Sequence, residues 1–298
     1  MTAAAVDAVD VSMRYGRTWA LRGCSVSLAP GRVTALVGPN GAGKTTLLHL
    51  AAGFLRPDAG RIEVLGRAPW PQSRELVARI GFVAQGHPLY QFLTVGETLA
   101  MGRRLNPSWD RRLVGDHLER LRIPLGRRVR SLSGGQRAQV ALALAMGKRP
   151  DLLLLDEPLA SLDPLARRQF LGMLMQLTAD TGATILLSSH IVADLERVCD
   201  QLVILASGRV QLSGDIADVV GTHKRLVGPR RTANGIAGVA RVVEVSHTER
   251  QTTVVARVSG PVPDPRWEVQ QMTLEDVVLA YLGVDRELED APAVEVVA

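Results

Sequence analysis

The octapeptide Gly38-Pro-Asn-Gly-Ala-Gly-Lys-Thr45 narrows the possible folds more than any other stretch of this chain. It follows Val33-Thr-Ala-Leu-Val37, a short β-prone run with little alternation, typical of a strand buried on both faces. Residues Lys44 to Ala52 come next and have helix-like content. A G-x-x-x-x-G-K-[ST] run between a strand and a helix lets successive backbone N–H groups turn inward as a concave nest. The helix N-terminus adds roughly half a positive charge. In such a loop Lys44 reaches the β- and γ-phosphates of a nucleotide and the Thr45 hydroxyl ligates Mg²⁺. The bland alternative, a Gly-rich turn with an exposed lysine, does not account for the flanking elements.

Leu152-Leu-Leu-Leu-Asp156-Glu157 is a second buried strand, ending in two adjacent carboxylates. That ending is costly unless a cation compensates it. Asp156 is the expected Mg²⁺ partner, and Glu157 is suited to take a proton from an attacking water. A third strand, Thr184-Ile-Leu-Leu-Ser-Ser189, stops at His190. Ligands of open α/β sheets bind outside the carboxyl ends of the strands, so these three ends are expected to share one crevice. Strands alternating with helices indicate a parallel sheet covered on both faces. Between the first two strands lies a helical, Arg-rich middle from about Thr94 to Lys148, opened by Thr94-Val-Gly-Glu97 with capping-box spacing. Within it Ser133 is the expected N-cap of the helix from Arg137 to Met146. Gly134 and Gly135 expose further N–H groups beside it, a second anion-binding helix terminus. Pro164 to Ala179 reads as another helix.

Composition removes several classes. Apolar residues are 46% and charged residues 22% of the 298, ordinary globular usage. No apolar stretch approaches the ~20 residues that cross a bilayer, and the N-terminal residues lack the pattern of a secretory signal. Cys24 and Cys199 stand alone, against a disulfide scaffold or a Cys-based zinc site. Between Arg103 and Arg130 there are nine Arg against Asp110, Asp116 and Glu119. This surplus suits an acidic partner or phospholipid, but on charge alone a solvated helical face is the favoured reading. After about Thr222 the composition changes. Gly228 to Gly235 reads as a linker, followed by alternating segments at Val239–Ser246 and Thr252–Val258 and a short amphipathic helix at Thr273–Leu282.

Over about residues 5–220 the order Tyr15, Gly38–Thr46, Gln85, Leu132-Ser-Gly-Gly-Gln136, Leu152–Glu157, Ser161-Leu-Asp163 and His190 resembles the nucleotide-binding subunit of ATP-binding-cassette (ABC) transporters. The resemblance implies an α/β P-loop NTPase: a mostly parallel core sheet, an antiparallel β-subdomain and a helical subdomain inserted at about 87–150. It implies an ATP-binding domain over 1–222, and the composition and patterning beyond it read as a small α+β C-terminal accessory domain over 223–298 with a flexible tail. Carried over position by position, Tyr15 stacks on adenine, and Gly38, Pro39, Asn40, Gly41, Ala42, Gly43, Lys44, Thr45 and Thr46 surround the phosphates. Asp156 and Thr45 hold Mg²⁺, and Gln85 joins the Mg²⁺ and water shell to the helical subdomain. Glu157 is the catalytic base and His190 senses the γ-phosphate. Ser133 and Gly135, with Gly134 and Gln136 of the same turn, meet the γ-phosphate of ATP held by the opposite subunit, and Asp163 lies at the dimer interface. Small departures are Leu144, where many relatives have Arg, and Ala84 before Gln85, where Pro is often found.

The implied activity is ATP hydrolysis in a head-to-tail dimer with a second copy or a homologous ATPase subunit, driving a separate integral-membrane permease. That puts the chain in the cytoplasm, peripheral on the inner face of the membrane, with no specific nucleic-acid binding. A soluble ABC ATPase acting on nucleic acid or ribosomes is the rival, encouraged by an isoelectric point near 9.7; a single unsplit cassette argues against it. A kinase or GTPase is disfavoured by Leu132–Gln136. Met272 to Gly283 resembles the closing helix of multidrug-type (ABC-2) exporter ATPases, and export is the expected direction.

Overall fold

Strands that must hide both faces need apolar residues at consecutive positions, and four of them form the centre of the molecule. The computed structural model describes residues 4–106, 108–160, 162–193, 195–230 and 235–289; Ser161 and the tail after 289 lie outside the described residues. The N-terminal part runs β1 (Val6–Tyr15), β2 (Thr18–Leu28), β3 (Val33–Val37), α1 (Lys44–Ala51), β4 (Ala59–Val64), α2 (Arg74–Arg79) and β5 (Ile80–Val83). A helical layer follows, α3 (Val95–Leu105), α4 (Arg111–Arg120) and α5 (Gly134–Gly147). The chain then returns as β6 (Leu152–Leu155), α6 (Pro164–Thr181), β7 (Thr184–Ser189), β8 (Gln201–Ala206), β9 (Arg209–Asp215) and α7 (Ile216–Thr222). Last come β10 (His223–Pro229), β11 (Val239–His247), β12 (Gln251–Val258), β13 (Glu268–Gln271) and α8 (Leu274–Glu289).

The central sheet has the order β5-β6-β7-β3-β8-β9, parallel except for β9. Its strands divide residue by residue between two cores. Leu36, Leu152, Leu154, Leu186, Val203 and Leu205 face α1 and the antiparallel sheet β2-β1-β4. Ala35, Val37, Leu153, Leu155, Ile185, Leu187, Leu202 and Ile204 face the other way, onto α5, α6 and α8. This is why the runs read as unbroken leucine and valine rather than as alternation. The helical layer has its own core of Val95, Val114, Leu118, Ile123, Leu132, Val140 and Ala143.

Helix boundaries follow capping chemistry. Thr94 and Glu97 form a reciprocal capping box at α3, and Ser133 and Gln136 form another at α5. Asp163 caps α6, with Pro164 in its first turn, and Gly182 ends that helix in the left-handed conformation. α6 therefore runs two residues beyond Ala179. All nine arginines from Arg103 to Arg130 are exposed. Among the described residues no helix is long and apolar enough to cross a membrane.

The C-terminal region corrects one local reading. Gly228 and Pro229 are not linker but the end of β10, which lies between β12 and β13 in an antiparallel sheet ordered β11-β12-β10-β13. The partners of these two residues, Thr252 and Gln251, lie on β12 far along the chain, so turn-prone local composition concealed the strand. α8 also extends past Leu282. Met272, Leu274, Val277, Val278 and Tyr281 are buried in the same core as Val37, Leu155 and Leu187. His223 ties the join: its Nδ1–H donates to the Val219 carbonyl (2.7 Å) and its Nε2 accepts from the Tyr281 hydroxyl (3.0 Å).

Candidate active site

The carboxyl ends of β3, β6 and β7 lie side by side, because these strands are neighbours in the parallel sheet. Each ends in one of the polar segments read from the sequence. Two glycines let the loop after β3 close down. A Cβ at Gly38 would sit 2.1 Å from the Leu205 carbonyl oxygen, and one at Gly43 2.3 Å from that of Ala20, where the backbone also takes φ +103°. Only glycine fits either position. Gly43 is then the N-cap of α1, so the helix's first N–H groups open toward the loop.

Lys44 is buried and turned back into this loop. Its ammonium donates to the carbonyl oxygens of Gly38 (2.8 Å) and Pro39 (3.1 Å) and lies 3.2 Å from Glu157 Oε1. Both partners of that ion pair are more than nine-tenths buried. The contact compensates two charges that would each be expensive alone. Thr45 donates its hydroxyl to Asp156 Oδ2 at 2.9 Å. Asp156 is itself held by its amide, which bonds to the Val83 carbonyl of the neighbouring strand.

Glu157 turns out of β6 in the left-handed region (φ +47°). Such a backbone costs of order 1–3 kcal/mol for a non-glycine residue and persists only where its surroundings enforce it. Here its carboxylate is gripped from both sides, Oε1 by Lys44 and Oε2 by His190 Nδ1 at 2.8 Å. A carboxylate only accepts, so the shared hydrogen resides on Nδ1 and the second ring nitrogen is left for another partner. The His190 side chain is half exposed while Glu157 is buried, so the histidine forms the outer lip of the site.

Lys44, Thr45 and Glu157 border a cleft of about 460 Å³ lined also by Tyr15, Thr18, Trp19, Ala20, the rest of residues 40–46 and Gln85. Asp156 and His190 reach it through their bonds to Thr45 and Glu157. Tyr15 is half exposed at its rim, and Trp19 carries the guanidinium groups of Arg14 and Arg22 at 5.4 and 5.7 Å from its ring. Gln85 follows the end of β5 and is exposed. Thr45, Asp156 and Gln85 are hard oxygen donors, the type Mg²⁺ takes. Their small number suits an ion that keeps waters and phosphate oxygens as its other ligands. Among the described residues no group of three or more His, Cys, Asp or Glu forms an all-protein metal cage.

The remaining sequence-predicted residues are elsewhere. Ser133, Gly134, Gly135, Gln136 and Asp163 are not among the residues lining the cleft. Ser133 and Gln136 are engaged with each other, side chain to backbone, at 3.2 Å in both directions. Asp163 accepts from the Ala166 amide. Four residues in or beside the site were given no role from the sequence: Thr18, Trp19, Ala20 and Ser188. Trp19 falls on the strand after Tyr15. Ser188 is the penultimate residue of β7, one strand over from Asp156.

Residues 21–160 match the family model described as ABC transporter. The Nod factor export ATP-binding protein I of Burkholderia orbicola (strain AU 1054) is 33% identical, over 97% of this chain and 100% of its own length. The Fe(3+) ions import ATP-binding protein FbpC 2 of Rhodococcus jostii (strain RHA1) is also 33% identical, over 90% of this chain and 86% of its own length. A solved ATP-binding subunit of an ABC transporter superposes with a TM-score of 0.65 at 30% identity, covering 72% of this chain and 91% of that one. The cbiO1 protein from Clostridium perfringens, part of the ABC transporter complex cbiONQ, gives 0.64 at 30% identity, covering 74% and 92%.

Proposed function

This chain belongs to the ATP-binding subunits of ABC transporters, as an ATPase of that family, and we propose that it drives export through a separate membrane permease as a head-to-tail dimer closed around two ATP. The observation that carries the reading is the junction of Lys44, Glu157 and His190 at adjoining strand ends, beside Thr45 and Asp156.

In this mechanism adenine rests on Tyr15 and the phosphates enter the nest formed by residues 38–46, where the amides and the α1 N-terminus favour negative charge. Lys44 exchanges its carbonyl contacts for phosphate oxygens. Mg²⁺, held by Thr45 and Asp156 with Gln85 at its water shell, supplies neutralisation of the phosphate charge when bound. Releasing Lys44 frees one edge of Glu157 to accept a proton from the attacking water. His190 keeps the other edge oriented and offers its second nitrogen toward the γ-phosphate. The Ser133–Gln136 turn of the opposite copy closes over the phosphate, with Asp163 near the join. Both anion-binding termini are then used, each on a different chain.

Export is supported by length as well as likeness. The Nod factor export proteins of Burkholderia orbicola and Paraburkholderia xenovorans are matched over 100% of their own length. The import proteins are matched over less of theirs: 90% for the sulfate/thiosulfate import protein CysA of Synechococcus elongatus, 86% for FbpC 2 and 67% for the molybdenum import protein ModC of Mesorhizobium japonicum. The chain is peripheral, reaching the inner face of the membrane through its permease.

The test is Glu157→Gln in purified protein and in membrane vesicles carrying the permease. We expect ATP binding to survive, hydrolysis to fall ~10²–10⁴-fold, and an ATP-dependent dimer to appear on gel filtration. Inside-out vesicles with the parental chain should accumulate substrate when ATP is added outside. Parental turnover by the Gln variant would remove the base assignment, and ATP-driven substrate loss from those vesicles would reverse the direction.

A further inference from the structure

Ser188 is fully buried at the carboxyl end of β7, and its hydroxyl makes two short hydrogen bonds in opposite senses. It donates to Asp156 Oδ1 at 2.8 Å and accepts the Glu157 amide N–H, also at 2.8 Å. The single proton of the hydroxyl is thereby committed to one carboxylate, and a lone pair to the neighbouring residue's backbone. The other Asp156 oxygen accepts from Thr45. Both oxygens of Asp156 are thus pinned by hydroxyl groups, one from the phosphate loop and one from β7. The Glu157 amide has left the strand ladder at the left-handed turn, and Ser188 is its acceptor.

We infer that Ser188 is a positioning residue for ATP hydrolysis, one hydroxyl that fixes both the rotation of the Asp156 carboxylate and the backbone turn that aims Glu157 between Lys44 and His190. The inference rests on reading Asp156 as the metal partner and Glu157 as the base. Ser188 is buried and is not among the residues lining the cleft, so it acts through the two acids. Removing the hydroxyl leaves a buried amide without an acceptor and a buried carboxylate oxygen without a donor. The adjacent Ser189 has a different task. Its hydroxyl donates to the Ile191 carbonyl and accepts from the Ile191 amide, closing the turn after the strand.

The experiment compares Ser188→Ala and Ser188→Thr, with Ser189→Ala as the neighbouring control and Glu157→Gln as the reference. Each is assayed as purified protein for kcat, KM for ATP, Mg²⁺ dependence and thermal midpoint. For Ser188→Ala we expect kcat to fall ~10–100-fold, as for loss of an outer-shell partner. KM for ATP should stay within about threefold, and half-saturation by Mg²⁺ should rise several-fold. Ser188→Thr keeps the hydroxyl and should recover most of kcat; Ser189→Ala should keep parental kcat.

A Ser188→Ala protein with near-parental kcat and unchanged Mg²⁺ dependence, assayed well below its midpoint, would overturn the inference even if it were less stable. So would a Thr variant as slow as the Ala variant at comparable stability. If Glu157→Gln is inactive while Ser188→Ala is parental, only the role of Ser188 fails. If Glu157→Gln turns over at the parental rate, the base assignment itself is wrong.

Discussion

The two helix N-termini that the sequence marks as candidates for binding anions are built in opposite ways. At α1 the loop is lined by buried groups already engaged with one another: Lys44 with Gly38, Pro39 and Glu157, Thr45 with Asp156, Glu157 with His190. At α5 the turn closes only on itself, through the Ser133–Gln136 capping box, and lies outside the cleft. The contrast separates two jobs. The first terminus must order charged side chains before any phosphate arrives, which takes burial and a sheet floor. The second needs only a stable, accessible set of N–H groups, which a capping box at the surface supplies without further help.

If the two termini are halves of one site on different chains, damage to each should be complementable. Lys44→Ala removes the cradle's cation and should weaken nucleotide binding at least ~10-fold, the usual scale for a lost charge-assisted contact. Gly135→Asp puts a like charge where phosphate is to be received. Each protein alone should be nearly inactive. Mixed in equal amounts they should regain about a quarter of parental ATPase. Half of the dimers would be mixed, and each of those would hold one intact site. No recovery on mixing, with each variant shown to be folded, would confine the two termini to separate roles.

A second contrast lies in pH. His117, buried on α4 beside α5, has its pKa pushed down to about 4, chiefly by burial. It is neutral in the fold, whereas an unfolded chain protonates it below ~6.5. The unfolded state therefore binds more protons between those values, and stability falls as pH drops from ~6.5 toward 4. A loss of order 3 kcal/mol follows from this group, and burial lowers His87 and His223 in the same sense. Thermal midpoints measured across that range should decline, and His117→Leu should flatten the decline. An unchanged slope in that variant would assign the acid sensitivity to other groups.

The smallest expected effect is at the capping box. Ser133→Ala should cost about 1 kcal/mol of stability, read from denaturant titration. If ATPase falls by much more than the lost fraction of folded protein, the Ser133 hydroxyl has a task besides capping.

The cleft's floor was legible because its evidence is local. Apolar runs that end abruptly in Gly38–Thr45, Asp156–Glu157 and His190 announce strands stopping at a common edge. Ser133 could be read as a cap because a strong helix former, Arg137 to Met146, follows it. What escaped reading depends on neighbours distant in sequence. Ser188 looks like one more polar residue at a strand end until β6 is laid beside β7 and Asp156 comes within 2.8 Å. Gly228 resembles a linker glycine, yet a Cβ there would lie 2.7 Å from the Trp267 ring. It is glycine because an indole packs flat against the strand. Tyr15 and Gln85 were placed by family resemblance, and both line the cleft.

The shared burial of α8 has a mechanical consequence. Met272, Val277 and Tyr281 share one continuous core with Val37, Leu155 and Leu187, and α8 packs on β8, the strand hydrogen-bonded to β3. Protein interiors are packed as tightly as molecular crystals, so a load applied at one wall of such a core reaches the opposite wall with little cushioning. The four-stranded C-terminal sheet is thus less a pendant than a handle: whatever grasps it also grips the bedplate on which the phosphate chemistry is mounted.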